Sequence, residues 1–228
     1  MSTALVTGAA SGIGAAVAAE LAAAGWRVAG FDLRVAATEF AQAGDVTDAD
    51  AVAEAAARAE QALGPIDALV TAAGHYEMTP VADITPSQWH RMLRVHLGGL
   101  VNAARAVLPG MLARREGQIV AISSELAVGG GDGDAHYAAA KGAVIGLVRS
   151  LAAEVAPLGV RVNSVAPGPT DTPLLAPDSP WRDPAYLGTL PARRLATAAE
   201  IAATVRFVLT EGSFMAGEVV SVNSGAVI

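Results

Sequence analysis

Short apolar runs alternate with longer segments of helical periodicity along the whole chain. The apolar runs predict buried strands at 4–7, 27–31, near 45–46, 67–71, 118–122, 160–165 and 218–222. The longer segments predict helices from the glycine-rich turn at 7–14 to about residue 24, then at 48–63, about 85–114, 135–155 and 198–209. Strands that are apolar throughout and separated by helices predict an α/β fold, in which a parallel sheet is covered by helices on both faces.

The alternation predicts one domain over residues 1–228, because no linker or change of composition divides the chain. Residues 168–192 contain six prolines and are predicted to lack regular structure. Loops of that length in compact domains are commonly lids or binding loops.

Composition narrows the class of partner. Fifteen basic and twenty-two acidic residues give a net charge of −7, which argues against a nucleic acid or an anionic membrane as partner. The absence of cysteine excludes disulfides, thiolate nucleophiles and Cys-ligated zinc, and the four histidines lack metal-ligand spacing, so we predict no metal site. The first 26 residues contain no basic residue, and polar and glycine residues interrupt their apolar run. We therefore expect neither a signal peptide nor a membrane span, and a cytoplasmic protein.

A glycine-rich turn links the first predicted strand to the first predicted helix, and it is a candidate nucleotide site. Such a turn lets the backbone approach a diphosphate, which the free amides of the helix N-terminus also attract; the alternative is that it is only a turn. The candidate residues in it are Gly8, Ser11, Gly12, Ile13 and Gly14. Asp32 ends the second predicted strand, where a carboxylate can accept hydrogen bonds from an adenosine ribose and would repel a 2′-phosphate. We therefore predict NAD rather than NADP, although Arg34 lies close by and favours the opposite choice.

Candidate catalytic residues occur in the second half of the chain. Tyr137 and Lys141 are four residues apart in a predicted helix, so their side chains share one face, and Lys141 is the only lysine in the chain. A phenol needs its pKa lowered from about 10 to act as a base at neutral pH, and a nearby ammonium acts in that direction. Ser124 ends a predicted strand, where its hydroxyl can donate to a carbonyl oxygen or an alkoxide.

Together, these motifs resemble those of the classical short-chain dehydrogenase/reductase family, in their order and spacing, over essentially the full chain. The resemblance implies a single Rossmann-type doubly wound domain with a seven-stranded parallel sheet in the order 3-2-1-4-5-6-7. It implies that Tyr137 is the acid/base, that Lys141 lowers its pKa and binds the nicotinamide ribose, and that Ser124 holds the substrate oxygen.

The resemblance also implies further cofactor contacts and an assembly. Residues flanking the adenine would be Asp45, Val46, Ala73 and Gly74, and residues holding the carboxamide would follow Pro167 and Gly168 and include Thr170 and Thr172. Residues 173–192 would form the substrate lid. The small residues of the helix that carries Tyr137 would form a subunit interface in a homodimer or homotetramer.

Three departures from the family pattern stand out. Residues 71–74 read Thr-Ala-Ala-Gly where the family has Asn-Asn-Ala-Gly, and residues 222–225 read Val-Asn-Ser-Gly where it has Val-Asp-Gly-Gly. His96 replaces a helix asparagine that positions a water in a proton relay behind the lysine. A neutral imidazole can both accept and donate there, or it can simply fill the space.

The leading hypothesis is an NAD-dependent oxidoreductase that moves hydride between a secondary alcohol and its ketone. One alternative is an NADPH-linked 3-oxoacyl thioester reductase, and another is a nucleotide-binding scaffold with weakened catalysis. Trp181 is a candidate apolar wall for the small-molecule substrate. Four polar residues adjoin the inferred pocket: Glu125, His136, His75 and Tyr76. Each can either contact the substrate or be a solvated or structural group, and we predict the second.

Overall fold

The computed structural model describes residues 1–227. It consists of a parallel sheet with helices on both faces. Seven strands of the described chain pair in the order β3-β2-β1-β4-β5-β6-β9, and every pairing is parallel. They are β1 (Thr3–Thr7), β2 (Arg27–Asp32), β3 (Phe40–Ala43), β4 (Ala68–Thr71), β5 (Gly117–Ile122), β6 (Val160–Pro167) and β9 (Val219–Val222). The sequence-based prediction of a Rossmann-type doubly wound sheet is confirmed.

Helices cover the two faces of this sheet. They are α1 (Gly12–Ala23), α2 (Ala49–Leu63), α3 (Pro86–Leu93), α4 (Gly99–Arg114), α5 (Leu126–Gly129), α6 (Ala135–Val155), α7 (Pro184–Thr189) and α8 (Ala198–Thr210). One core packs α2, α4 and α6 against the sheet, and the other packs α1 and α8 against its opposite face. All five residues of β1 are buried, as expected for a central strand covered on both sides.

The position of the third strand was predicted wrongly. The third strand is Phe40–Ala43, and Asp45 and Val46 lie in the loop after it. This edge strand is largely half-exposed, so it lacks the apolar run that marks buried strands. The helix predicted at 85–114 begins at Pro86, after a capping box on Thr85, and contains a π-helical turn at Arg94–Gly98.

The proline-rich segment 168–192 also contains regular structure, contrary to the prediction. Short strand β7 (Thr170–Asp171) pairs with β8 (Ala196–Thr197), and a 3-10 turn (Pro180–Arg182) precedes α7. Pro180 and Pro184 occupy the first positions of that turn and of α7, where a missing amide proton costs nothing.

The order of the strands reverses between β1 and β4, because β2 and β3 extend the sheet on one side and β5, β6 and β9 on the other. Sheets of this type bind ligands in the crevice at the carboxyl ends of the strands on either side of such a reversal. No helix within residues 1–227 is long and apolar enough to cross a membrane.

Candidate active site

Two adjoining cavities open at the carboxyl edge of the sheet. The larger, a cleft of about 460 Å³, follows the ends of β1, β2, β3 and β4. The smaller, a substrate-sized cavity of about 120 Å³, lies at the ends of β5 and β6. The predicted cofactor residues on the cleft are Gly8, Ser11, Gly12, Ile13, Gly14, Asp32, Asp45, Val46, Ala73, Gly74 and Thr172. The other predicted residues line the smaller cavity: Ser124, Tyr137, Lys141, His96, Pro167, Gly168 and Thr170.

The glycine-rich turn after β1 packs so closely against neighbouring backbone that two of its positions have no room for a side chain. Gly8 has φ +71°, and a Cβ there would lie 2.6 Å from the amide nitrogen of Ala73. A Cβ on Gly14 would collide with the carbonyl of Gly8. Ser11 is the N-cap residue of α1 but its side chain makes no capping hydrogen bond in the described chain, so the first-turn amides face the cleft without that partner.

Asp32 is fixed by backbone amides at the far end of the cleft. Its Oδ2 accepts a hydrogen bond from the Ala10 amide at 3.0 Å, and its Oδ1 accepts one from the Arg34 amide at 3.2 Å. Each oxygen keeps a second lone pair that a ribose hydroxyl can use. The Arg34 side chain also lines the cleft, and it makes no ion pair within the part of the chain that the structure describes. Arg91 of α3 adds a second guanidinium to this wall, which the sequence reading missed.

The segment after β6 is held close to the C-terminal loop. A Cβ on Gly168 would lie 2.6 Å from the Asn223 backbone, so this position requires glycine. The Thr170 hydroxyl donates to the Gly168 carbonyl at 2.8 Å. The Asn223 side chain accepts a hydrogen bond from the Gly225 amide and donates one to the Val227 carbonyl. The altered motif at 222–225 therefore still forms an ordered turn against Gly168.

Ser124 and Tyr137 meet at the wall of the smaller cavity. The Ser124 hydroxyl donates to Oε2 of Glu125 at 3.1 Å and accepts from the Leu126 amide at 3.2 Å. Burial raises the pKa of Tyr137 above its usual value of 10.0, the charge of Glu125 acts in the same direction, and a hydrogen bond with Ser124 opposes them. At neutral pH the phenol is therefore protonated in this chain.

Lys141 lies beside the Tyr137 ring, with its Nζ 5.7 Å from the ring centroid. Its ammonium donates to the Ile122 carbonyl at 2.8 Å, and burial lowers its pKa to about 7. The predicted lowering of the Tyr137 pKa by Lys141 stays a prediction, because burial favours the neutral form of both groups in the chain itself.

His96 projects from the π-helical turn into the same region. Its Nε2 lies 2.8 Å from the His75 carbonyl oxygen and 3.4 Å from the His75 amide nitrogen, and its Nδ1 has no partner within residues 1–227. Burial holds the pKa of His96 well below 6.5, so the imidazole is neutral. A separate cavity of about 10 Å³, near the lower limit for one water, is lined by both His96 and Lys141.

Glu125 lies on the wall of the smaller cavity, beside which the sequence had placed it. It is 7% exposed and contacts Ser124, so it is not the solvated group that the sequence allowed. Burial raises its pKa to about 7, while hydrogen bonds from its surroundings, including Ser124, act in the opposite direction. Its position directly after a strand-end serine was the available signal.

Tyr76 and Trp181 form the outer wall of this cavity, as predicted for Trp181. The Trp181 indole donates to the Tyr76 hydroxyl at 2.8 Å, and that hydroxyl donates to Oδ1 of Asp134 at 2.8 Å. The Tyr76 ring also packs edge-on against Tyr137, with 5.0 Å between centroids. The segment 173–192 is thereby tied to the loop after β4.

His75 and His136 lie near each other and near Glu77, with the His75 Nε2 3.7 Å and the His136 Nε2 3.9 Å from Oε1 of Glu77. His136 is buried without contacting either cavity, which fits a structural role, whereas His75 lines the cleft. Within residues 1–227, no group of acidic and histidine side chains is arranged to hold a metal ion.

Comparisons with known proteins agree with this geometry. The family model for short chain dehydrogenases matches residues 2–183. The chain is 37% identical over 236 residues to cis-4-hydroxycyclohexanecarboxylate dehydrogenase of Sinomonas cyclohexanicum, covering 97% of this chain and 95% of that protein. It is 34% identical over 233 residues to a 3-oxoacyl-(acyl-carrier-protein) reductase of Escherichia coli (strain K12), covering 97% and 96%. The ligand-free structure of Thermoplasma acidophilum aldohexose dehydrogenase superposes with a TM-score of 0.91 at 30% identity, covering 98% and 93%.

The protein belongs to the short-chain dehydrogenase/reductase family and is an oxidoreductase. The family uses nicotinamide dinucleotide cofactors, and the residues of the large cleft fit one. The first-turn amides of α1 suit a diphosphate, and Asp32 offers acceptors to a ribose.

Proposed function

We propose that this protein is an NAD-dependent enzyme that interconverts a secondary alcohol and the corresponding ketone. The observation that carries the proposal is the meeting of Ser124 and Tyr137 on the wall of a cavity that adjoins the nucleotide cleft. A panel of secondary alcohols with NAD, followed at the absorbance of the reduced nicotinamide, tests it. Turnover of no alcohol and no ketone with either cofactor would contradict it.

The chain's own residues supply binding and proton transfer. Ser124 hydrogen-bonds the reacting oxygen of the substrate, and Tyr137 takes the hydroxyl proton during oxidation or returns it during reduction. Lys141 supplies a positive charge beside Tyr137 and a donor for the nicotinamide ribose. A nicotinamide held in the large cleft would supply the hydride acceptor for oxidation of the carbinol carbon and the hydride donor for reduction of the carbonyl carbon.

The choice of NAD over NADP rests on Asp32. Both its oxygens are held by backbone amides, so the carboxylate cannot easily turn away from a 2′-phosphate. We expect NAD to raise the melting temperature of the wild-type protein more than NADP at equal concentration. Asp32→Asn should reduce the ratio of NADP to NAD dissociation constants by about tenfold or more, which is about 1.4 kcal/mol.

Two further variants make that measurement specific. Arg34→Ala should weaken NADP more than NAD, because its side chain is the cation beside Asp32 in the cleft. Asp83→Asn removes an exposed carboxylate in the 3-10 turn before α3 and should leave both constants unchanged. A larger shift with NADP than with NAD in the wild-type protein would overturn the assignment.

The alternative activity is NADPH-linked reduction of a 3-oxoacyl thioester. It is favoured by the similarity to the reductase of Escherichia coli and by the free guanidinium of Arg34. An acetoacetyl thioester with NADPH distinguishes the two, since it should be a poorer substrate pair than an alcohol with NAD.

His96 is proposed as a positioning residue that orders a proton relay behind Lys141. Its neutral ring and free Nδ1 support this role. We expect His96→Asn to retain kcat and its pH profile, because the amide keeps a donor and an acceptor. His96→Leu should lower kcat by about fivefold, with little change in KM, and alter the pH profile of kcat, since one lost hydrogen bond is worth about 1 kcal/mol. Equal pH profiles for His96→Leu and the wild type would show that the ring only fills space.

A further inference from the structure

Glu125 accepts a hydrogen bond from Ser124, the residue proposed to hold the reacting oxygen of the substrate. The Ser124 hydroxyl has one proton to donate, and Oε2 of Glu125, 3.1 Å away, competes for it with the Tyr137 hydroxyl, while the Leu126 amide donates to the same Ser124 oxygen. A carboxylate is a stronger acceptor than a carbonyl or alcohol oxygen. An ordinary ketone or monohydric alcohol must therefore compete with Glu125 for the hydrogen bond that Ser124 can donate.

In the part of the chain that the structure describes, no cationic group on the cavity wall neutralises Glu125 and so weakens its competition for the Ser124 proton. Glu125 makes no ion pair among the described residues, and Lys141, the one ammonium on the cavity wall, is engaged by the Ile122 carbonyl. No arginine lines the cavity within residues 1–227. The other groups whose charge acts on Glu125 or responds to it are Asp134, Tyr137 and Tyr186, none of them cationic.

We propose that Glu125 selects substrates that carry a second hydroxyl on the carbon next to the reacting one, and that it disfavours anionic substrates. This inference rests on the proposed alcohol–ketone activity. The second hydroxyl donates to Glu125, which releases the Ser124 proton to the reacting oxygen. The preferred substrate class is thus vicinal diols and the corresponding 2-hydroxy ketones, with no charged group near the reacting carbon.

The walls of the cavity agree with a small substrate of this kind. Apolar surface comes from Leu126, Leu174, Leu175 and Trp181, and the volume of about 120 Å³ suits a compact molecule. Burial and the neighbouring Asp134 carboxyl raise the pKa of Glu125 to about 7, so at pH 8 it is an ionised acceptor that repels a carboxylate.

The test compares substrates that differ by one group at pH 8. The probes are 2,3-butanediol, 2-butanol and the anion 3-hydroxybutyrate, each oxidised with NAD. The wild type should prefer the diol to 2-butanol by about tenfold or more in kcat/KM, because a hydrogen bond to a charged acceptor is worth about 1.5–3 kcal/mol. Glu125→Leu should bring that ratio close to one while 2-butanol is still oxidised. Glu125→Gln should raise the relative rate for 3-hydroxybutyrate.

A binding measurement separates this inference from the proposed activity. Trp181 lies on the cavity wall, so ligand binding can be followed by tryptophan fluorescence in Tyr137→Phe protein, which needs no turnover. The inference is supported if the diol binds more tightly than 2-butanol and if this difference is lost on adding Glu125→Leu. That support holds even if no alcohol is oxidised, because then only the proposed activity fails. Glu116→Gln, which removes an exposed carboxylate before β5, should leave the ratio unchanged. Equal diol preference in the wild type and Glu125→Leu, or none in either, would overturn the inference.

Discussion

Replacing Tyr137 by phenylalanine is expected to lower kcat by about 10²–10⁴-fold, the range for loss of a positioned acid/base. The substitution removes only the hydroxyl. The ring keeps its edge-on contacts with Tyr76 and His96, whose centroids lie 5.0 Å and 5.4 Å away. The fold and the nucleotide cleft should therefore persist, and the rise in melting temperature with NAD should match that of the wild type.

Tyr186→Phe provides the matched control. Tyr186 lies on α7, packs against Trp181 and does not line the substrate-sized cavity, so losing its hydroxyl should reduce turnover far less. If Tyr137→Phe oxidises alcohols as fast as the wild type while binding NAD normally, Tyr137 is not the acid/base. If NAD no longer shifts its melting temperature, the loss of turnover reflects the cofactor site instead.

Much of the fold could be predicted because buried parallel strands have a simple signature. β1 and β4 are buried throughout and each contains an unbroken apolar run, at 4–6 and 68–70, so the pattern alone locates them. β3 escapes this rule because it lies at the sheet edge with most of its residues half-exposed. The short elements within 168–192 escape it too, since α7 has six residues and none is buried. Periodicity needs more residues than these elements contain.

The candidate site also has a part that the sequence predicts and a part that it does not. Spacing along one helix or one turn predicts neighbours such as Tyr137 and Lys141, because local geometry fixes them. Contacts across the fold are different: the Trp181–Tyr76 hydrogen bond joins residues 105 positions apart. The burial of Glu125 depends on segments far apart in the chain, such as β6, whose Pro167 carbonyl accepts a hydrogen bond from the Glu125 amide, and no local pattern specifies this. The π-helical turn at Arg94–Gly98 is likewise invisible to a 3.6-residue period.

Glu125 also gives the largest expected effect on stability. Its pKa is about 7 in the folded chain and 4.5 in the absence of burial, so the folded state holds a proton between those pH values that the unfolded state has released. The free energy of unfolding therefore falls as pH rises from about 4.5 to 7. Above pH 7 this group lowers it no further. A difference of about 2.5 pKa units corresponds to about 3 kcal/mol.

Glu125→Gln removes this cost because the amide does not ionise. Relative to the wild type, the variant should gain about 2.5 kcal/mol between pH 5 and pH 8, seen as a difference in melting temperature that grows by about 5–10 °C over that range. Lys141 acts in the opposite direction, because its lowered pKa makes the free energy of unfolding rise with pH above about 7. Both proteins contain Lys141, so its contribution cancels in the comparison. Glu54→Gln, at an exposed position on α2, controls for loss of one negative charge. A difference between Glu125→Gln and the wild type that stays constant from pH 5 to 8 would mean that this carboxyl does not carry its raised pKa in solution.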